Sequence, residues 1–383
     1  MKIIRIESFH LRCQDPGMNL FDGSYDVCAI RILTDSGLSG IGEVESFPPA
    51  VQALIHGPDS HSHARGLGGV LLGRDPRDAT LWDELYHACD YVGRRGIAMH
   101  AIGGLDLALW DLRGQAANCP VHQLLGGARR SRVRAYGTIY PMARTADGVK
   151  AQVSAAINDL HLTTVKFAAD PWWFEDIDQT ARLLRAARGV LGPQRGLIVD
   201  AALSCRTTEE ALKLYPAYRE TGILFLEAPL PLDDMIGHQF LSGQGIPLGV
   251  GDLGLTHVDE FIDAMDRGGA TICQPDISMV GGFTGIQKIA VAALARGKRV
   301  ITHGYKTNVL IAANLHFLAA HHDEEILEYS TSRSPLRWQM TNETLPVNQD
   351  GTVGVPTKPG LGVSLNEATL RQYKFKTQVS EHR

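Results

Sequence analysis

The fold can be read from the run Gly-Leu-Ile-Val-Asp at residues 196–200, in which small and apolar residues end in a carboxylate. The same pattern returns as Ile-Leu-Phe-Leu-Glu at 223–227 and as Pro-Leu-Gly-Val-Gly-Asp at 247–252. Short apolar runs of this kind are typical of parallel strands that are buried on both faces. The carboxylates follow one another at steps of 27 and 25 residues, which is the length of a strand and a returning helix. The stretch therefore predicts consecutive βα units.

The βα pattern extends in both directions and gives eight strand candidates. They are residues 132–139, 164–167, 197–199, 224–226, 248–250, 270–273, 299–301 and 326–329. Amphipathic segments such as 177–191 and 207–218 lie between them, as crossover connections require. Seven polar residues end these strands at steps of 24 to 34 residues: Lys166, Asp200, Glu227, Asp252, Asp276, His303 and Glu328. We expect a modified (β/α)8 TIM barrel of the (β/α)7β type, in which these side chains meet in one pocket at the carboxyl ends of the strands.

The residues on either side of the barrel predict two further parts. Residues 3–11, 25–33 and 40–44 have the pattern of an antiparallel meander, and residues 98–112 have helical periodicity. The last fifty residues contain four prolines and predict an irregular segment. We therefore expect an α+β capping domain at 1–127, the barrel at 128–334, and a C-terminal segment at 335–383 that packs back on the capping domain.

Composition excludes several classes of partner. The 383 residues carry a formal net charge of −5 with dispersed Lys and Arg, which argues against binding nucleic acid. Apolar stretches fall short of the roughly 20 residues of a membrane span, and the first residues alternate like a strand rather than a signal peptide. The six cysteines are far apart and form no Cys-x-x-Cys pair, as in reduced, buried thiols. We expect a cytoplasmic protein with no membrane partner.

Three carboxylates on successive strands predict a cation site. Asp200, Glu227 and Asp252 would repel one another at close range, and an all-oxygen ligand set favours Mg²⁺. Any one of these residues could instead cap a helix or pair with an arginine. Three in succession favour the metal.

Asp276 and His303 end adjacent strands and predict an acid–base pair. A carboxylate on one ring nitrogen fixes the histidine tautomer and raises the basicity of the other nitrogen. His303 is then a candidate general base.

Lys166 and Glu328 end the second and the last barrel strand, and more than one role is possible for each. Glu328 ends the last strand, where a desolvated carboxyl group held protonated would donate to a substrate oxygen; Glu325 is the neighbouring candidate. Lys166 would bind a carboxylate or act as a second base, and the base role needs burial or cationic neighbours that lower its pKa.

These residues in this order resemble the enolase superfamily, and the aspartate–histidine pair resembles its mandelate racemase subgroup. Further motifs of the subgroup are Gly-Arg-Arg-Gly-Ile-Ala-Met-His-Ala-Ile at 93–102, Asp-Leu-Ala-Leu-Trp-Asp-Leu at 106–112 and Leu-Leu-Gly-Gly at 124–127. The resemblance implies that Mg²⁺, held by Asp200, Glu227 and Asp252, binds a substrate carboxylate while a base removes the adjacent proton, giving an enediolate. It also implies a homo-oligomer and a small-molecule carboxylate as substrate.

Departures from the subgroup indicate the outcome of the reaction. Ala168 replaces the second lysine of the usual Lys-x-Lys, Asp252 replaces the usual glutamate, and Ala201 and Ala202 leave no extra histidine on the third barrel strand. Racemisation needs two acid–base groups, whereas a syn elimination can use one histidine for both proton transfers. The sequence therefore predicts a dehydratase that converts an acid sugar, an aldonate or aldarate, into a 2-keto-3-deoxy acid.

Two alternatives stay open from the sequence. One is a racemase or epimerase of a 2-hydroxy acid that uses Lys166 and His303 as opposing bases. The other is a catalytically idle member of the family that binds an acid sugar, an alternative suggested by the missing lysine.

Lid loops of the first domain set substrate choice in this family, and here they are expected at 19–25 and 47–65. Candidate substrate contacts on these lids are Phe21, Tyr25, Phe47 and His56. Tyr140, Lys306 and Asn308 at the barrel mouth suit a polyhydroxylated substrate.

Overall fold

Two packed sheets account for the strands of the molecule. The computed structural model describes residues 1–13, 25–140, 144–168, 171–321 and 325–382, with only the backbone at 171 and 172. The first sheet, the capping sheet, is antiparallel and is formed in spatial order by β13 (Lys374–Glu381), β1 (Ile3–Arg12), β2 (Asp26–Thr34) and β3 (Ser39–Val44). The predicted meander is confirmed to within one residue at each strand end.

Five helices follow the meander, and the first four share one buried hydrophobic cluster with the capping sheet. The five helices are α1 (Pro48–His56), α2 (Leu67–Leu71), α3 (Leu81–Ala88), α4 (Ile97–Ala116) and α5 (Val121–Leu124). Helix α4 lies against β3 at contact distance, because glycines on both elements remove the side chains between them. A Cβ atom on Gly42 would lie 2.1 Å from the carbonyl oxygen of Gly104.

The second sheet is the barrel. Its parallel strands are β4 (Arg132–Ile139), β5 (Thr164–Ala168), β6 (Gly196–Asp200), β7 (Leu226–Glu227), β8 (Leu248–Val250), β9 (Ile272–Cys273), β10 (Arg299–Val300) and β11 (Leu327–Ser330). Each strand from β4 to β9 pairs with the next, and β11 pairs in parallel with β4. The first and last strands therefore meet, as a barrel requires.

Seven crossovers connect these eight strands, which confirms the (β/α)7β architecture. Their helices are α6 (Ala146–Asn158), α7 (Ile177–Leu191), α8 (Thr208–Leu212), α9 (Tyr215–Thr221), α10 (Met235–Ser242), α11 (Val258–Asp266), α12 (Gly282–Leu294) and α13 (Asn308–Ala320), with a 3-10 turn at Pro171–Phe174. The single helix predicted at 207–218 is divided into α8 and α9. Pro216 lies in the first turn of α9, where its missing N–H is tolerated, whereas inside a longer helix it would remove a backbone hydrogen bond.

The prediction of an irregular C-terminal segment is wrong in part, because irregular stretches at 340–351 and 355–366 alternate with regular elements. The segment contains α14 (Pro335–Gln339), β12 (Thr352–Gly354), α15 (Glu367–Gln372) and β13. Strand β12 pairs with β4, and β13 pairs with β1 at the edge of the capping sheet. The prolines fall between or at the starts of these elements, where they do not interrupt strand or helix hydrogen bonds.

No helix in the described part of the chain combines the length and the apolar character needed to cross a membrane.

Candidate active site

Strand alternation brings the predicted site residues to one end of the barrel. Five buried side chains fill the barrel interior: Tyr136, Ile198, Phe225, Ile272 and Ile301. Side chains two residues apart on a strand share a face, so residues 138, 200, 227, 274 and 303 extend the same inward rows toward the carboxyl ends of the strands. The apolar interior is therefore the floor of a polar pocket.

The structure brings Asp200, Glu227 and Asp252 together. Each offers a carboxylate oxygen that lies within 4.8 Å of one from each of the other two, and all three residues are buried. Burial raises the pKa of Asp252 to about 6, and Asp200 adds to the shift. Burial likewise raises the pKa of Glu227. Without a cation, this arrangement therefore disfavours three ionised acids.

These three acids fit a magnesium ion. The Oδ1 atom of Asp252 is buried and has no hydrogen-bond partner within the described part of the chain, so this acceptor is available to a cation. The other two acids are held in place, since Asp200 Oδ1 accepts from the N–H of Ala202 at 2.8 Å and Glu227 Oε2 accepts from the amide of Gln274 at 2.6 Å. Three carboxylates with room for water or substrate oxygens match the preference of Mg²⁺.

Lys166 lies on the inner side of this cluster. Its Nζ atom is 2.6 Å from Glu227 Oε1, 2.9 Å from Glu328 Oε1 and 3.6 Å from Asp200 Oδ2. Burial alone would lower the pKa of the ammonium group, but Glu227 and Glu328 outweigh it and raise the pKa well above its usual value. The geometry therefore favours a charged lysine that holds carboxylates.

Glu328 is ionised in this environment, which corrects the expectation of a protonated acid. Its Oε1 accepts from Lys166 and from the hydroxyl of Thr138, and its Oε2 accepts from the N–H of Gly304 at 3.1 Å. Burial raises its pKa, but the positive charges of Lys166 and His303 outweigh this effect and lower the pKa to about 2. The alternative, Glu325, lies in a salt bridge with Arg299 at 2.7 Å.

Asp276 and His303 form a buried pair, with 2.8 Å between Asp276 Oδ2 and His303 Nδ1. The carboxylate accepts, so Nδ1 carries the proton and Nε2 is left for proton transfer. The other oxygen, Asp276 Oδ1, accepts from the hydroxyl of Ser278 at 2.6 Å and from its N–H at 2.7 Å. Burial lowers the pKa of His303, but Glu328, Glu45 and Asp276 outweigh it and raise the pKa well above its usual value.

Several residues of the pocket are not among those predicted from the sequence. Gln274 and Thr138 lie on the inward rows and could have been found by counting two residues on from Ile272 and Tyr136. Glu45 comes from the capping domain: it has a carboxylate oxygen within 4.8 Å of Asp276 and His303, and its Oε2 accepts from the N–H of Tyr305 at 3.1 Å. Strand spacing in the barrel carries no signal for it.

The lid predictions have mixed outcomes. Phe21 and most of 19–25 lie outside the described residues. Tyr25 has the guanidinium of Arg12 5.0 Å from its ring centroid, and Phe47 is 66% exposed just before α1. The prediction of a loop at 47–65 is wrong for its first half, which is helix α1.

His56 does not act as a lid residue in this structure. Its Nε2 bonds to the Ser8 hydroxyl at 2.8 Å and its Nδ1 to the Ser380 hydroxyl at 2.7 Å. Both ring nitrogens are thus used inside the capping domain, because α1 packs its last turn against the β1–β13 edge.

The residues proposed for a polyhydroxylated substrate lie in two environments. The Tyr140 ring contacts that of Tyr305 edge to face at 5.5 Å, and burial raises its pKa, with Lys166, Asp200 and Glu328 among the charges it feels. Lys306 is buried and its Nζ donates to the Asp26 carbonyl at 3.2 Å. Asn308 instead has a structural role, because its amide bonds to Thr341, Glu343 and Arg337.

A capping α+β domain over a (β/α)7β barrel, with three acids and an aspartate–histidine pair at the strand ends, defines a class of enzyme. Family models agree with this: the mandelate racemase/muconate lactonizing enzyme N-terminal domain matches residues 23–126, and the enolase C-terminal domain-like model matches residues 148–369. The chain belongs to the mandelate racemase group of the enolase superfamily.

Two curated relatives act on acid sugars by name. D-galactarolactone cycloisomerase of Agrobacterium fabrum is 31% identical over 360 residues, which cover 90% of each chain. Arabinonate dehydratase of Saccharolobus solfataricus is 29% identical over 359 residues, which cover 92% of this chain and 91% of the relative.

Solved structures show the same fold over nearly the whole chain. The 3,6-anhydro-D-galactonate cycloisomerase of Zobellia galactanivorans has a TM-score of 0.85 and 26% identity and covers 98% of this chain, with all of its own chain matched (100%). The L-talarate dehydratase of Polaromonas sp. JS666, solved with Mg and L-glucarate, has a TM-score of 0.81 and 27% identity and covers 100% of this chain and 99% of its own.

Proposed function

We propose that this protein is a Mg²⁺-dependent acid-sugar dehydratase that removes the proton next to a carboxylate and eliminates the β-hydroxyl as water, leaving a 2-keto-3-deoxy acid. The observation that carries the proposal is the division of roles between Lys166 and His303. His303 is oriented by Asp276 with Nε2 available, whereas Lys166 is held charged between Glu227 and Glu328. One acid–base group suits elimination better than racemisation.

The metal would be held by Asp200, Glu227 and Asp252 and would supply positive charge for the substrate carboxylate. Lys166 adds a second positive charge on the same side of the pocket, which favours the charge that develops on that carboxylate. His303 Nε2 takes the α-proton and then donates it to the departing hydroxyl, which leaves as water. One residue therefore acts first as the base and then as the acid. Asp276 holds the ring in one orientation through both steps.

Cycloisomerisation is the second candidate, favoured by the two cycloisomerases among the relatives. If the β-oxygen of the substrate belongs to a ring, the same elimination opens the ring and keeps the leaving group in the product. The residues would have the same roles, and only the substrate would differ.

Proton NMR in D₂O tests these proposals. Aldonic acids, aldaric acids and their lactones are incubated with the protein and Mg²⁺, beside His303→Asn and the matched surface variant His87→Asn, whose side chain is 70% exposed. We expect conversion to a keto-deoxy acid by the wild type and His87→Asn, and loss of conversion in His303→Asn.

Other outcomes would contradict the dehydratase. Deuterium at the α-carbon with inversion and without elimination indicates an epimerase in which Lys166 is the second base. Ring opening of a lactone or anhydro acid with no turnover of open acids indicates the cycloisomerase. Tight binding of acid sugars without turnover across the library indicates an idle family member.

A further inference from the structure

A small cavity lies behind the catalytic strand ends, beyond β11. It is bordered by the alternating serines of Ser-Thr-Ser-Arg-Ser at 330–334 and by Arg337 on α14. The segment 305–307, which follows His303, forms another wall. The volume open to the centre of a water-sized sphere is about 10 Å³, which is room for about one water or one monatomic ion.

Arg337 is a buried cation with an unused donor. The side chain is 2% exposed, its Nε donates to the Ser330 carbonyl at 3.1 Å, and its Nη1 donates to Asn308 Oδ1 at 2.7 Å. The Nη2 atom is buried and has no hydrogen-bond partner in the ranges that the structure describes. Leaving a charged donor unpaired in the interior is costly, so a partner is expected at this point.

The serines that border the cavity also present donors. Ser334 is 1% exposed, and its buried Oγ has no hydrogen-bond partner among the residues described. The Oγ atoms of Ser330 and Ser332 accept from the N–H groups of Ser332 and Ser334, which leaves their hydroxyl hydrogens for another acceptor. Four donors from two elements thus border one cavity.

The charged side chains that line the cavity are both cationic. Among the described residues Arg337 forms no ion pair with a carboxylate; its guanidinium lies instead over the rings of Tyr329 and Trp338, at 4.7 and 4.4 Å from their centroids. Lys306 borders the same cavity. Glu43 is the nearby acid that favours the charged form of Arg337, but it does not line the cavity. Its Oε2 accepts from the Thr307 hydroxyl and the Leu310 N–H, its Oε1 is buried with no hydrogen-bond partner among the described residues, and burial raises its pKa to about 7.

We propose that this cavity binds a small monatomic anion, chloride, between Arg337 Nη2 and the hydroxyl of Ser334. A water in the same position would accept from Arg337 Nη2 and donate to a serine Oγ, but it would leave the buried guanidinium charge uncompensated. An anion accepts from all of these donors and neutralises the buried guanidinium. Such an ion would connect α14 with the segment that follows the catalytic histidine.

Anomalous diffraction tests the site directly. Crystals of the full chain are soaked in sodium bromide, and data are collected at the bromine absorption edge. We expect an anomalous peak within hydrogen-bond distance of Arg337 Nη2 and Ser334 Oγ, and no such peak in Ser334→Ala crystals. A water-like density without anomalous signal in the wild type would overturn the proposal.

Thermal unfolding gives a second readout that needs no crystal and no substrate. Tm is compared in 100 mM sodium chloride and in 100 mM sodium methanesulfonate, whose anion is too large for the cavity. We expect chloride to raise the wild-type Tm by about 3 °C or more if it binds with a Kd near 1 mM. The shift should vanish in Ser334→Ala and persist in the exposed control Ser60→Ala. Equal Tm values for the wild type in both salts would count against an anion.

Discussion

At the scale of single residues, the catalytic pair depends on a serine that links two domains. The Ser278 hydroxyl donates to Asp276 at 2.6 Å and accepts from the N–H of Glu45 at 3.0 Å. Ser278 and Asp276 are both fully buried, so water cannot replace these bonds. The end of β3 in the capping domain is thereby connected to the residue that orients His303.

Replacing Ser278 by alanine should therefore impair catalysis, because Asp276 and with it His303 are less well positioned. We expect kcat to fall about tenfold to a hundredfold, because one hydrogen bond to a charged group is lost. Asp276 loses a donor and becomes a stronger base, so the acidic limb of kcat/KM should move to higher pH. The measurement is a pH–rate profile with the substrate found by NMR. A rate loss with no displacement of that limb would mean that Ser278 acts on packing alone.

We expect Lys166 to stabilise the buried carboxylates as well as to serve the substrate. Lys166→Met leaves Glu227 and Glu328 buried without their cation, and we expect a loss of about 3–5 kcal/mol in the free energy of unfolding in EDTA. Added Mg²⁺ should recover part of the loss by binding the native acids. Urea titrations with and without Mg²⁺ measure both effects.

The matched control for Lys166→Met is Lys358→Met, which removes an ammonium that is 68% exposed and pairs with Glu343 at 3.3 Å. Little change is expected there, since exposed pairs contribute weakly. If Lys166→Met were as stable as this control in EDTA, the ion-pair account of Lys166 would fail.

At the scale of elements, the capping domain is held by the contact of β3 with α4. Gly42 faces Gly104 so closely that no side chain fits between the two backbones, and a Cβ on Gly104 would in turn lie 2.3 Å from Val44 Cγ2. This contact places the end of β3, and with it Glu45, over the barrel mouth. Packing far from the chemistry thus determines where a charged group meets His303.

Gly42→Ala should loosen this contact. Its new methyl group would collide with the backbone of α4, and we expect a loss of about 1–3 kcal/mol in the free energy of unfolding. Gly354→Ala in β12 is the control, because a Cβ there meets nothing within 4 Å. Chemical denaturation of both variants gives the comparison, and equal stability would show that α4 can move away without cost.

At the scale of the whole molecule, a buried histidine pair joins the capping domain to the barrel. His122 on α5 and His316 on α13 approach to 3.0 Å between their Nδ1 atoms, and His316 Nε2 lies 3.1 Å from the Leu361 carbonyl. Because His316 Nε2 donates to that carbonyl, His316 Nδ1 accepts the shared hydrogen and also the backbone N–H of His122 at 3.3 Å, which leaves His316 no nitrogen for a second proton. Burial lowers the pKa of His316 to about 3.

This pair should make the protein acid-sensitive. The unfolded chain binds a proton at His316 near pH 6.5 and the native protein does not until about pH 3, so stability falls as the pH drops through that window. At pH 5 the expected loss is about 2 kcal/mol. Urea titrations at pH 7.5 and 5.0 on the wild type, His316→Gln and the exposed control His87→Gln measure it. If His316→Gln showed the same pH dependence as the wild type, the pair would not be responsible.

The order of strands and helices, and the polar residues that end the strands, could be predicted from the amino-acid pattern alone. This was possible because parallel strands in a barrel share one face, so a local pattern of apolar runs with polar ends specifies which residues meet. The tertiary structure decided what those residues do to one another. Glu328 is charged because Lys166 and His303 lie beside it. Glu45 reaches the pocket because glycines let β3 pack closely against α4. His56 lies inside the capping domain because it bonds to Ser380 on the edge strand β13. These contacts join residues distant in the chain, and their energies depend on burial and separation, which no local sequence pattern encodes.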